Sequence, residues 1–156
     1  MKTIQSNLSR FAIGLIVASA VAATCAAAHG QDDPVLTSLS TRVDHFFTNL
    51  TGSGADAEMK ALDELLAEGP LAGSDEIKAL AEQVQRLDGR FGAYVSSEQI
   101  EAKRVGTDLV LMRFLYKAEK YPVVWYFTFY RPPVGEANKW VAVSVRFDTR
   151  HEALVH

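Results

Sequence analysis

Cysteine is nearly absent from this chain: Cys25 is the only one in 156 residues. It falls in a stretch that reads as a removable leader. The remaining chain therefore has no disulfide, no thiolate zinc site and no cysteine nucleophile, and its stability must come from packing. Histidine is scarce as well, and only His45 lies inside a patterned segment. With no carboxylates grouped at ligand spacing, neither a metal nor any other cofactor is expected. Lys and Arg nowhere crowd densely enough to supply several phosphate contacts, which argues against a nucleic-acid partner. Repeats and low-complexity linkers are also missing, so one domain is expected.

What the N-terminus does have is Lys2 and Arg10 ahead of an uncharged apolar run from Phe11 to Ala28 ending in three alanines. That is the layout of a secretory signal peptide, with cleavage after Ala28 or, second, after Gly30. The protein is then exported, periplasmic or secreted. The acidic Gln31-Asp32-Asp33 that follows is not a stop-transfer flank, so no stable membrane insertion is expected after cleavage. Thr24 before Cys25 fits a lipoprotein box poorly. A copper site built on a freed His29 would need a second histidine on a β-sandwich, which a helical start argues against. The expected layout is a signal peptide over 1–28, a flexible tail over 29–34, one domain over 35–149 and a C-terminal tail over 150–156.

Losing Lys2 and Arg10 with the leader takes the formal charge from −3 to −5. The acid is concentrated: residues 31–88 hold 4 basic and 12 acidic residues, residues 89–156 hold 10 and 7. Two layers of opposite charge packed on each other account for that asymmetry.

The acidic half carries three helical patterns. Asp33-Pro34 supplies an N-cap and a proline at the first helical position. Leu36, Leu39, Val43, Phe46, Phe47 and Leu50 then form one apolar stripe ending near Thr51-Gly52. A second helix is expected from Ser53 to Glu68-Gly69-Pro70 and a third from Ser74 to Asp88-Gly89. From Gly92 the period changes to strands near 93–105, 108–118, 123–131 and 139–148, separated by turn signals. Helices first and strands joined by short turns afterwards imply an α+β fold, with the helices on one face of an antiparallel meander of four strands or more.

The stretch WYFTFY, Trp125 to Tyr130, divides by strand parity. Trp125, Phe127 and Phe129 share one face, and Tyr126, Thr128 and Tyr130 the other. Pairing Phe129 with Val141 lets Val141, Val143, Val145 and Phe147 join the core face and sends Trp140, Ser144 and Arg146 to the tyrosine side. Tyr126, Tyr130 and Trp140 are thus candidate interface residues, and a homodimer through the sheet is the plainest use of them.

Helices followed by the segment from Gly89 to Asp148, with its Trp125-x-Phe127-x-Phe129-Tyr130 strand and Trp140 leading to Arg146-Phe147-Asp148, resemble small secreted bacterial members of the nuclear transport factor 2-like superfamily. The resemblance implies an α+β cone, a curved sheet wrapped round a long first helix with a pocket at its open end. One departure is the lack of a strand between the second and third helices. Ketosteroid isomerase, scytalone dehydratase, polyketide cyclases and domains with no known chemistry share this cone, so the fold selects no function. No catalytic motif of the family matches here position by position.

Candidate pocket residues are Arg113, Tyr116, Trp125 and His45. Arg113 interrupts the apolar run from Leu109 to Tyr116, and two registers are open: one points it inward beside Phe127, the other outward among the tyrosines. Inward, it would hold an anionic ligand against Trp125. A non-catalytic ligand-binding or protein-interaction domain is the expected function. The alternative, a cone-fold isomerase or lyase, would have to assemble an acid/base pair from Asp44, His45, Arg113, Tyr116 and Tyr126.

Overall fold

The structure is a computed structural model, and it describes residues 33–150 apart from 53, 55 and 135–138. The leader, Cys25, His29 and the tail with His151 and His156 lie outside the described residues.

Helix α1 spans Pro34–Leu50. Asp33 caps it, Oδ1 accepting from the Val35 N–H at 2.9 Å, with Pro34 at the position where a missing N–H costs nothing. Leu39, Val43, Phe46, Phe47 and Leu50 form the buried stripe. Helix α2 covers Ala57–Leu66, beginning four residues later than the sequence suggests: Asp56 takes the N-cap position, and the glycine-containing stretch before it has more backbone entropy to lose in a helix. Helix α3 covers Asp75–Gln85, and the chain does not stop at Asp88-Gly89 but adds a short α4, Leu87–Phe91. Gly92 ends it at φ 88°, a conformation glycine adopts freely.

The four strands, β1 (Tyr94–Val105), β2 (Leu109–Ala118), β3 (Val123–Tyr130) and β4 (Val141–Asp148), form one antiparallel sheet in sequence order that does not close into a barrel. The helices cover one face of it. Phe46 and Phe47 of α1 insert against Trp125 and Phe127, with ring centroids 5.4 to 5.8 Å apart and mostly edge-to-face. Val123, Trp125, Phe127 and Phe129 are all buried on this side. Parity along β3 therefore holds.

Along β4 it does not. Phe127 pairs with Val145 and Thr128 with Ser144, but Phe129 pairs with Ala142 and Tyr130 with Val141. Val143 is the extra residue of a bulge, which reverses the alternation before it. Ala142 consequently faces the core, Val141 joins Tyr130 on the open face, and Trp140 turns to the helix side, where it packs against the core. The expected pairing of Phe129 with Val141, and the place of Trp140 among the tyrosines, are corrected by that one residue.

At the same end, α2 is tied to β4. Gly69 lies with its backbone against Ala142, Glu68 pairs with Lys139 at 2.9 Å, and Arg42 donates to the carbonyls of both Leu65 and Trp140. Three carboxylates are held below their ordinary value: Asp33, chiefly by the Val35 N–H and then by Arg104; Asp108, by Arg131 and Thr107; and Asp148, by Arg150. A carboxylate whose folded pKa is depressed contributes stability that is present above its unfolded value and lost as pH falls through the folded one. The denaturation midpoint should therefore be flat near neutrality and fall below about pH 4, with Asp108→Asn losing part of that dependence. A midpoint unchanged down to about pH 2 would contradict this assignment.

Candidate interaction face

The face of the sheet turned away from the helices is built by the register. Arg113 pairs with Tyr126, and Tyr126 with Arg146; Leu111 pairs with Thr128, and Thr128 with Ser144; Leu109 pairs with Tyr130, and Tyr130 with Val141; Leu115 pairs with Val124. Because Phe114 sits opposite Trp125, β2 takes the register that sends Arg113 outward.

Leu109, Leu111, Leu115, Val124, Tyr126, Tyr130 and Val141 are its apolar and aromatic members, of which Leu111 and Tyr130 are 38% and 37% exposed while Val124 and Val141 are buried. Charge crosses the middle of this face: Arg113 stands between Leu111 and Leu115 on β2, and Arg113 and Arg146 flank Tyr126. Arg113 Nε stands 2.7 Å from Glu101 Oε2 and Lys117 Nζ 2.5 Å from Glu98 Oε2, while the Arg146 guanidinium lies 4.0 Å from the Tyr126 ring centroid. No helix or strand among the described residues packs over this face. Exposed aliphatic and aromatic side chains with arginines set among them are the composition enriched in protein interfaces.

The expected pocket of Arg113, Tyr116, Trp125 and His45 is not assembled, because the four residues belong to three separate surroundings. Trp125 is fully buried, its indole N–H without a hydrogen-bond partner among aromatic rings. Tyr116 is also buried, 4.8 Å ring to ring from Tyr94, and burial pushes its hydroxyl far above the ordinary tyrosine value. Arg113 lies across the sheet from both. His45 is exposed on α1, 3.7 Å from Glu64 and 3.2 Å from Asn49.

The acid/base set fares no better as a constellation. Asp44 is exposed on α1 and raised somewhat by partial desolvation. Tyr126 accompanies Arg113 on the open face. Of the interface candidates, Tyr126 and Tyr130 share the face and Trp140 does not. Leu109, Leu111 and Leu115 were missed as part of it, although a signal existed: β2 is apolar at both parities, which leaves one apolar set without a core to enter.

No protein-family model, curated protein or solved structure matches this chain. Among the described residues no helix is long and apolar enough to cross a membrane, and no three His, Cys, Asp or Glu side chains converge as metal ligands.

Proposed function

We propose that this is a non-catalytic interaction domain that works by pairing its open sheet face with the same face of a second copy. The observation that carries the reading is the exposure of Leu111 and Tyr130 on a sheet face over which no described helix or strand packs. A second copy fits better than a charged partner. The face carries both signs, with Arg113 paired to Glu101 and Lys117 to Glu98, and a two-fold contact is complementary to itself. A two-fold axis along the strands would also set the β1 carboxylates of one copy opposite Arg146 of the other.

The projected face is about 20 by 25 Å, roughly 500 Å² per copy, from four strands at their usual spacing. Roughly 1,000 Å² in total is the lower bound for a specific interface, so a dissociation constant of about 10 μM is expected rather than an obligate dimer. Export through the leader, and the nuclear transport factor 2-like resemblance resting on element order, belong to the same proposal.

Sedimentation equilibrium tests it. The wild type should pass from monomer to dimer across about 1–100 μM, and Leu111→Lys should weaken association at least about tenfold by replacing an exposed apolar contact with an ammonium, with little effect on the fold. A wild type that stays monomeric at the top of this range, or a Leu111→Lys variant that dimerises equally well, would overturn the reading.

A further inference from the structure

At the end of the molecule where α1 begins, Arg42 is a half-buried guanidinium whose two hydrogen bonds go to neutral acceptors: Nη1 to the Trp140 carbonyl at 2.8 Å and Nη2 to the Leu65 carbonyl at 2.5 Å. Among the described residues no carboxylate pairs with it. Glu68, whose charge reaches it, is itself 2.9 Å from Lys139. Burial pushes the Arg42 pKa down, the sign of a cation that has lost water and has not gained an anion. The sequence had a signal for it: Arg42 stands three residues after Leu39 and four before Phe46, so a charge sits on the apolar stripe.

Two clefts meet at Arg42. The larger, about 480 Å³, is walled by Pro34, Val35, Ser38, Leu39 and Trp140. The smaller, about 160 Å³, lies between α1 and α2 and brings in His45 and Glu64. Two more guanidiniums, Arg104 and Arg131, stand 5.7 and 5.6 Å from the Trp140 ring centroid, but Asp33 and Asp108 neutralise them at 2.6 and 2.7 Å. They fix the ring; Arg42 is the cation left to take an anion. One guanidinium suits a monoanion, since the exposed Glu64 nearby would repel a second charge, and the apolar walls suit a hydrocarbon tail. The larger volume is within the range of small-ligand sites.

We infer that this cleft binds an apolar monocarboxylate, its carboxylate on Arg42 and its tail along Val35, Leu39 and Trp140. The site is separate from the open sheet face and stands independently of it.

Octanoate and octanamide, added to the purified protein, test the inference through tryptophan emission. Of the two tryptophans, Trp125 is fully buried, so the change reports Trp140. Octanoate should give a saturable change, with octanamide at least about tenfold weaker. Arg42→Met should abolish that preference. Because it also leaves two carbonyls without their donor, Ser38→Glu serves beside it: an exposed position on the cleft wall gains a repelling carboxylate, the core is untouched, and octanoate should bind about tenfold more weakly. Leu111→Lys should bind like the wild type. No saturable change, equal binding of acid and amide, or wild-type affinity in Ser38→Glu would each overturn the inference.

Discussion

Trp125→Ala is expected to destabilise the protein by about 3–5 kcal/mol, the cost of truncating a large buried aromatic. The ring is fully buried and meets Phe46, Phe47, Phe127 and Phe147 at centroid distances of 5.1 to 6.0 Å. Those rings belong to α1, β3 and β4, so no single element can move in to fill the void. A tryptophan removes about 200 Å² from water, worth about 5 kcal/mol of transfer free energy, of which alanine retains a minor part. The unpartnered indole N–H works the other way, since removing it relieves a buried donor. Trp125→Phe should therefore cost distinctly less than Trp125→Ala. Tyr130→Ala, one strand position outside the core and 37% exposed, should cost under about 1 kcal/mol in the monomer. Chemical denaturation of the three variants measures this, and small, equal losses at Trp125 and Tyr130 would contradict the assignment of faces.

Gly69→Ala should destabilise by about 3 kcal/mol, at the upper end for a single added methyl, since overpacking a close contact usually costs about 1–3 kcal/mol. A Cβ at Gly69 would stand 2.1 Å from the Ala142 carbonyl oxygen and 3.3 Å from its carbon. Both obstacles are backbone, held in place by β4's pairing with β3, so the link between α2 and α3 must move instead. Moving it disturbs Glu68 with Lys139 and Arg42 with the Leu65 and Trp140 carbonyls. Gly89→Ala is the control: its Cβ would meet nothing within 4 Å, and its place in α4 favours alanine by up to about 1 kcal/mol. Equal denaturation midpoints for the two variants would contradict the close approach.

Where one period governs an element, the fold was legible. The Asp33 cap, the Pro34 start and the α1 stripe all follow from residue type and spacing, and so does the division of β3 into Trp125, Phe127, Phe129 and their polar neighbours. Legibility stops where a rule has two solutions or is locally broken. The β2 run is apolar at both parities, so either register buries a plausible set, and only the pairing of Phe114 with Trp125 puts Arg113 outside. The Val143 bulge leaves composition untouched yet moves Trp140 from one face to the other. For the same reason the tyrosines of the candidate face could be placed while its leucines, flagged only by a run apolar at both parities, and Val141 could not. Arg42 was visible as a charge on an apolar stripe, but its neutral partners come from segments 23 and 98 residues away in sequence, a distance that local pattern does not span.

The central claim, that the open sheet face meets its own copy, is tested most directly by a cysteine placed on it. With Cys25 replaced by serine, a Thr128→Cys variant, on the inner strand β3, is treated at about 100 μM, above the expected dissociation constant, with a bis-maleimide of roughly 10 Å span, the spacing of stacked sheets. An Ala79→Cys variant on the exposed side of α3 is the reference. The account predicts covalently linked dimers from Thr128→Cys, suppressed by adding Leu111→Lys, and few from Ala79→Cys. Linkage no greater from the sheet than from α3, or undiminished by Leu111→Lys, would contradict it.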